Sequence, residues 1–118
     1  MTEIQGSKDC GNSPKNKAVQ DIAIGLAVGD IAPDLIDDDV VWQPTDSEAV
    51  SGRETLMKSL ADQPVPQSVT VDHAVSHGKV GAASGEIILA NGHRRRFCHV
   101  IEFTSAKAAC VAAIKSYT

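Results

Sequence analysis

The 118-residue chain is 42% hydrophobic and carries a net charge of −4, which suits one domain with its own core and leaves too little chain for two. The negative balance offers no general attraction for phosphate backbones or anionic lipid, so nucleic acid and membranes are not expected partners. Three cysteines, Cys10, Cys98 and Cys110, show neither CxxC spacing nor even pairing, which argues against a secreted disulfide framework and predicts a cytoplasmic location.

Residues 1–12 lack the basic start and apolar core of a signal peptide and are expected to form a flexible tail ahead of a single domain over 13–118. Ser13-Pro14 predicts a helix start, with serine capping free amides and proline at the first helical position. Val19, Ile22, Ala23 and Leu26 then recur at helical spacing, and Gly29 ends the run. The apolar stretch 22–28 is too short to span a bilayer. Asp30 and Pro33 predict a second, short helix that turns Leu35 and Ile36 inward.

Asp37-Asp38-Asp39 reads as an exposed lead into the β-branched strand Val40-Val41-Trp42-Gln43. Consecutive aspartates cannot all converge on one ion without ligands from elsewhere, so no metal is expected there. Ser51-Gly52-Arg53-Glu54 has the spacing of a capping box and predicts a third helix with Leu56, Met57 and Leu60 inward, stopped before Pro64 and Pro66.

Strands follow. Val69, Val71, His73 and Val75 alternate as one face, and Asn91-Gly92 marks a hairpin turn. His93-Arg94-Arg95-Arg96 is the one basic cluster, and alternation splits its arginines between two faces, as in a solvated strand end. On the strand 96–103, Phe97, His99, Ile101 and Phe103 share a face, so His99 either meets a buried partner or addresses a ligand. Ser105-Ala106-Lys107 is a further turn before a last strand over 110–117. Helices first and a long meander afterwards predict an α+β fold with its helices on one sheet face. The strand 80–90 is small or apolar on both faces, which predicts a homodimer covering the far side.

The order of these motifs resembles the nuclear transport factor 2-like superfamily, which includes ketosteroid isomerases, polyketide cyclase-like (SnoaL-like) proteins and limonene epoxide hydrolases. The carriers are Gly29-Asp30-Ile31, the acidic lead into Val40-Val41-Trp42-Gln43-Pro44, Ser51-Gly52-Arg53-Glu54, residues 77–82, and the ending from Phe97 to Tyr117. The resemblance implies a cone-shaped, strongly bent antiparallel sheet with three N-terminal helices enclosing an apolar cavity, commonly as a homodimer. It does not imply one activity, since one fold hosts many.

Ketosteroid isomerase chemistry needs an aspartate base and an oxyanion hole of a tyrosine and a protonated aspartate. By the resemblance those positions hold Gln43, Ile22 and His99, so that machinery is not matched. The epoxide hydrolase arrangement, two carboxylates and an arginine, finds only Arg95 and Glu86 as unaligned counterparts. Cys98 and His99 are adjacent on a strand and face opposite ways, which excludes a thiolate–imidazole couple.

The expected function is a pocket protein for a small apolar molecule with a polar group near His99. His99 is the candidate catalytic residue, and Gln43, Trp42, Phe97, His99, Ile22 and Met57 are the candidate ligand contacts. Whether it is an isomerase, a cyclase, a hydrolase or a pure binder stays open. No cofactor is expected, and no zinc, because His73 and His77 would stand roughly 13 Å apart on an extended strand. Two alternatives remain: Trp42 as a core or interface anchor, and His99 as a structural histidine. The rival overall reading is a non-catalytic interaction module that associates through its sheet face.

Overall fold

In the computed structural model, which describes residues 2–11, 13–107 and 110–118, Ser13 opens helix α1 (Pro14–Val28) by accepting the Asn16 amide at 3.2 Å. Gly29 closes it with φ 76°, its N–H bonded to the Gly25 carbonyl at 2.8 Å. Left-handed backbone is nearly free for glycine and costly for other residues, so the predicted stop is a property of that residue. Val19, Ile22, Ala23 and Leu26 are buried as one stripe.

The predicted second helix is a single 3-10 turn, Pro33–Leu35, with no side-chain cap, and Leu35 is exposed. The described residues therefore hold two α-helices, where the sequence predicts three. The chain turns extended at Ile36, which is buried as the first residue of a strand. The other α-helix, α2 (Arg53–Ala61), starts after Gly52 without a side-chain cap. The expected capping box is absent because Ser51 lies in a strand, paired with Val41. Leu56 and Leu60 face the core as predicted.

Among the described residues seven strands follow the order β1-β4-β5-β6-β7-β2-β3: β1 (Glu3–Gln5), β2 (Ile36–Gln43), β3 (Val50–Ser51), β4 (Ser68–His77), β5 (Val80–Ile88), β6 (Arg94–Phe103) and β7 (Val111–Tyr117). The β4 to β7 meander is antiparallel, but β1 runs parallel to β4 and β2 parallel to β7. An all-antiparallel sheet is thus corrected at both flanks of the meander. Within the stretch expected to be a tail, β1 pairs with β4 and Ser7 bonds Gln20 of α1 at 2.7 Å. Met1 and Asn12 of that stretch lie outside the described residues.

The sheet is long and curved, and its bends have residues behind them. Val71 pairs with Gly85 and His73 with Ser84, so Asp72 is an extra residue that bulges β4. The Asp9 carboxylate accepts the Ala74 amide beside the bulge at 3.1 Å. A bulge flips the face of everything after it. His73 and Val75, predicted to share a face with Val69 and Val71, are turned out, Val75 54% exposed, while Ala74 takes the core side. Opposite the bulge, a Cβ on Gly85 would collide with the Thr70 carbonyl.

A second irregularity makes Ala112 the extra residue of β7 opposite β6. The β5–β6 turn is a three-residue loop, Ala90-Asn91-Gly92, closed by Leu89 and His93, with Gly92 at φ 85°. The core lies between α1, α2 and the concave face, and no helix is long and apolar enough to cross a membrane among the described residues.

Candidate functional site

Alternation along β6 after the turn puts Arg95, Phe97, His99, Ile101 and Phe103 on the concave face. On β7 the residues beyond the bulge, Ile114 and Ser116, face the same way, and on β2 so do Val40 and Trp42. His99 and Ser116 are direct cross-strand partners, and Trp42 lies one strand further on, in register with Ile114. Three side chains from three neighbouring strands meet here.

They line a cavity of about 240 Å³. Leu26 and Ala27 of the last turn of α1, together with Ile87 and Phe97, give it apolar walls. Trp42, Thr45, Gln63, His99 and Ser116 supply polar lining, and Pro64, Arg95 and Thr118 are exposed residues of the same lining. Thr45 donates to the Ser116 carbonyl at 2.9 Å and accepts the Thr118 amide at 2.9 Å, fixing the end of β7 there.

Ser116 Oγ lies 2.9 Å from Trp42 Nε1 and 2.6 Å from His99 Nδ1. Indole N–H can only donate, so the serine oxygen accepts from Trp42. If Ser116 in turn donates to His99 Nδ1, the proton without a partner among the described residues is the one on Nε2. The reverse assignment would leave the serine proton with none among the described residues. We assign the neutral Nε2–H tautomer, because it leaves the unpaired proton on the ring nitrogen that is open to solvent.

His99 Nε2 has no hydrogen-bond partner among the described residues, yet no buried side-chain nitrogen or oxygen there lacks one. Nε2 is consequently reachable by solvent, and its N–H is an uncommitted polar group of the cavity. The histidine as a whole is 5% exposed and stacks on Phe97, ring centres 5.1 Å apart. Burial pushes its pKa down to about 4, because an imidazolium would lose its hydration. Protonation near the ordinary value of about 6.5 would suit an anion-binding switch, but His99 is neutral throughout the neutral range.

Of the residues expected at a pocket, Trp42, Phe97 and His99 line it, while Gln43, Ile22 and Met57 do not. Neighbours on a strand face opposite sides, so Trp42 and Gln43 cannot both point in. Gln43 is exposed and donates to the carbonyls of Pro44 and Ser47, both at 3.1 Å. Ile22 is sealed beneath α1, and Met57 packs at the edge of the core.

Two lining residues were legible but missed. Arg95 shares the parity of Phe97 and His99, which separates it from its neighbours in the basic run. Arg94 instead lies 3.6 Å from Glu86, and Arg96 pairs in register with Glu86. Ser116 shares the parity of Ile114.

No family model and no curated protein matches the sequence. The fold does match solved structures. An NTF2-like protein of unknown function from Burkholderia xenovorans superposes with TM-score 0.72 at 21% identity, covering 87% of this chain and 80% of that one. One from Mesorhizobium loti gives 0.70 at 14% identity, covering 95% and 97%. A proposed ketosteroid isomerase from Kribbella flavida gives 0.65 at 17% identity, covering 86% and 75%. The chain has the nuclear transport factor 2-like fold.

Proposed function

We propose that this chain is a small-molecule binding protein whose ligand is mostly apolar and presents a hydrogen-bond acceptor to His99 Nε2. The observation that carries the reading is an uncommitted N–H on a buried histidine of a mostly apolar cavity, held in place through Ser116 by Trp42. A few polar groups placed among apolar walls fix a ligand's orientation. Among the described residues no aspartate or glutamate lines the cavity, and an imidazole with a pKa near 4 is a weak proton acceptor at neutral pH. An enzymatic form of the reading thus uses His99 as a donor to a developing negative oxygen, and a binding role needs no further group. A cytoplasmic setting accords with the three free cysteines.

Trp42 is the sole tryptophan and lines the cavity, so its emission reports occupancy directly. Titration with 2-octanone should give a saturable change, and His99→Ala should weaken binding about ten-fold, the effect of losing one buried hydrogen bond. Unchanged affinity in that variant, with lowered thermal stability, would make His99 a structural residue and end the reading.

A second reading concerns the convex face, where Val75, Ala82 and Val100 are in register across β4, β5 and β6 beside Val80. Val75 and Val80 are 54% and 43% exposed. We propose that a second copy of the chain covers this stripe, which is compatible with ligand binding on the concave side.

A further inference from the structure

We infer that the cavity takes a small apolar monocarboxylate, its carboxylate held at the mouth by Arg95 and its far end reaching His99; this rests on the pocket reading above. Arg95 stands on the cavity side of β6, in register with Ile87, another lining residue. Among the described residues its guanidinium makes no ion pair and no hydrogen bond, whereas the neighbouring Arg94 has Glu86. The chain is acidic overall, with a net charge of −4, so a cation uncommitted at the mouth of an apolar cavity reverses the local sign and attracts anions there.

The chemistry of that anion is limited by the site. One guanidinium offers a planar fork that matches one carboxylate through two parallel hydrogen bonds. A phosphate dianion would need further donors, and no other Lys or Arg lines the cavity among the described residues. Arg95 and His99 are four residues apart on one strand, roughly 13 Å between Cα atoms, and the arginine side chain shortens that span. Phe97 lies between them and supplies apolar wall. A volume of about 240 Å³ corresponds to about eight waters, below the usual drug-sized pocket. The fitting ligand is therefore a short chain or single ring with an acid at one end and a carbonyl or hydroxyl oxygen at the other.

Three probes separate this inference from the reading beneath it: 7-oxooctanoate, its methyl ester and 2-octanone, each titrated by Trp42 emission. The acid should bind the unmodified protein at least about ten-fold more tightly than its ester, the scale of a charge-assisted pair. Arg95→Met keeps the apolar stem at an exposed position and should abolish that preference. Equal binding of acid and ester, or a preference that survives Arg95→Met, would overturn the inference. Should 2-octanone bind while the acid binds no better, the pocket reading stands and the carboxylate falls. If none of the three binds, both fall together.

Discussion

The two ends of the concave groove are built from the same strands and differ in what fills them. At the Gly81–Ile101 end, β5 presents Gly81 and Ala83, and α1 comes so close that a Cβ on Gly81 would collide with Val19. Ile101 is fully buried and Phe103 nearly so. At the Ile87–Arg95 end the strand residues are larger, but α1 contributes only Leu26 and Ala27 before Gly29 stops it. Small side chains let a helix approach and seal the sheet, whereas an early helix stop beneath larger ones leaves the cavity. His99, opposite Ala83, sits at the boundary between the two regimes.

The largest expected effect tests that contrast. Ile101→Ala at the sealed end should cost about 4 kcal/mol, because close-packed surroundings cannot collapse into the gap. Ile87→Ala beside the existing cavity should cost about 1 kcal/mol, since that side chain is only half-buried. Urea unfolding of both variants measures the difference, and equal losses would erase the distinction between the ends.

The boundary residue predicts the next effect, as a function of pH. His99 takes its proton near 6.5 when unfolded and near 4 when folded. Above pH 6.5 both states are neutral. As the pH falls from 6.5 to 4 the unfolded chain binds a proton that the folded one refuses, so stability is lost. The loss reaches about 3 kcal/mol near pH 4 and does not grow below it. Unfolding at pH 7 and pH 4.5 should therefore show a steeper decline for the unmodified protein than for His99→Gln; parallel declines would mean that the imidazole is hydrated when folded.

The smallest change in stability is expected on the other side of the sheet. Val75→Lys places a charge on the exposed convex stripe and should move folding stability by no more than about 0.5 kcal/mol, yet convert a dimer to a monomer. Light scattering at micromolar concentration reads both states. A monomer before the substitution would remove the second copy from the proposal.

Legibility along the chain followed the range of the forces involved. The start and stop of α1, the turn at Asn91-Gly92 and the inward face of β6 were readable because each is set by neighbouring residues: a capping hydroxyl, a glycine at positive φ, a strict two-residue period. The second helix failed because its cap and proline competed with a strand that begins at Ile36 and pairs with Val111 across the fold. The capping box failed for the same reason, with Ser51 drawn into pairing with Val41.

At the site, the shared face of His99 and Phe97 followed from alternation, whereas Trp42 and Gln43 were both named from a motif match, and alternation on their strand admits only one of the two to the cavity side. The sequence by itself determined which residues share a face wherever a strand runs without interruption. Only the tertiary structure decided where that period breaks: the Asp72 bulge depends on Gly85 across the sheet, and the Ala112 bulge depends on β6. It also decided that Ser116, Trp42 and His99, far apart in the chain, share one hydrogen-bonded chain. Register between distant strands comes from the sum of many packing contacts, and no local run of residues encodes that sum.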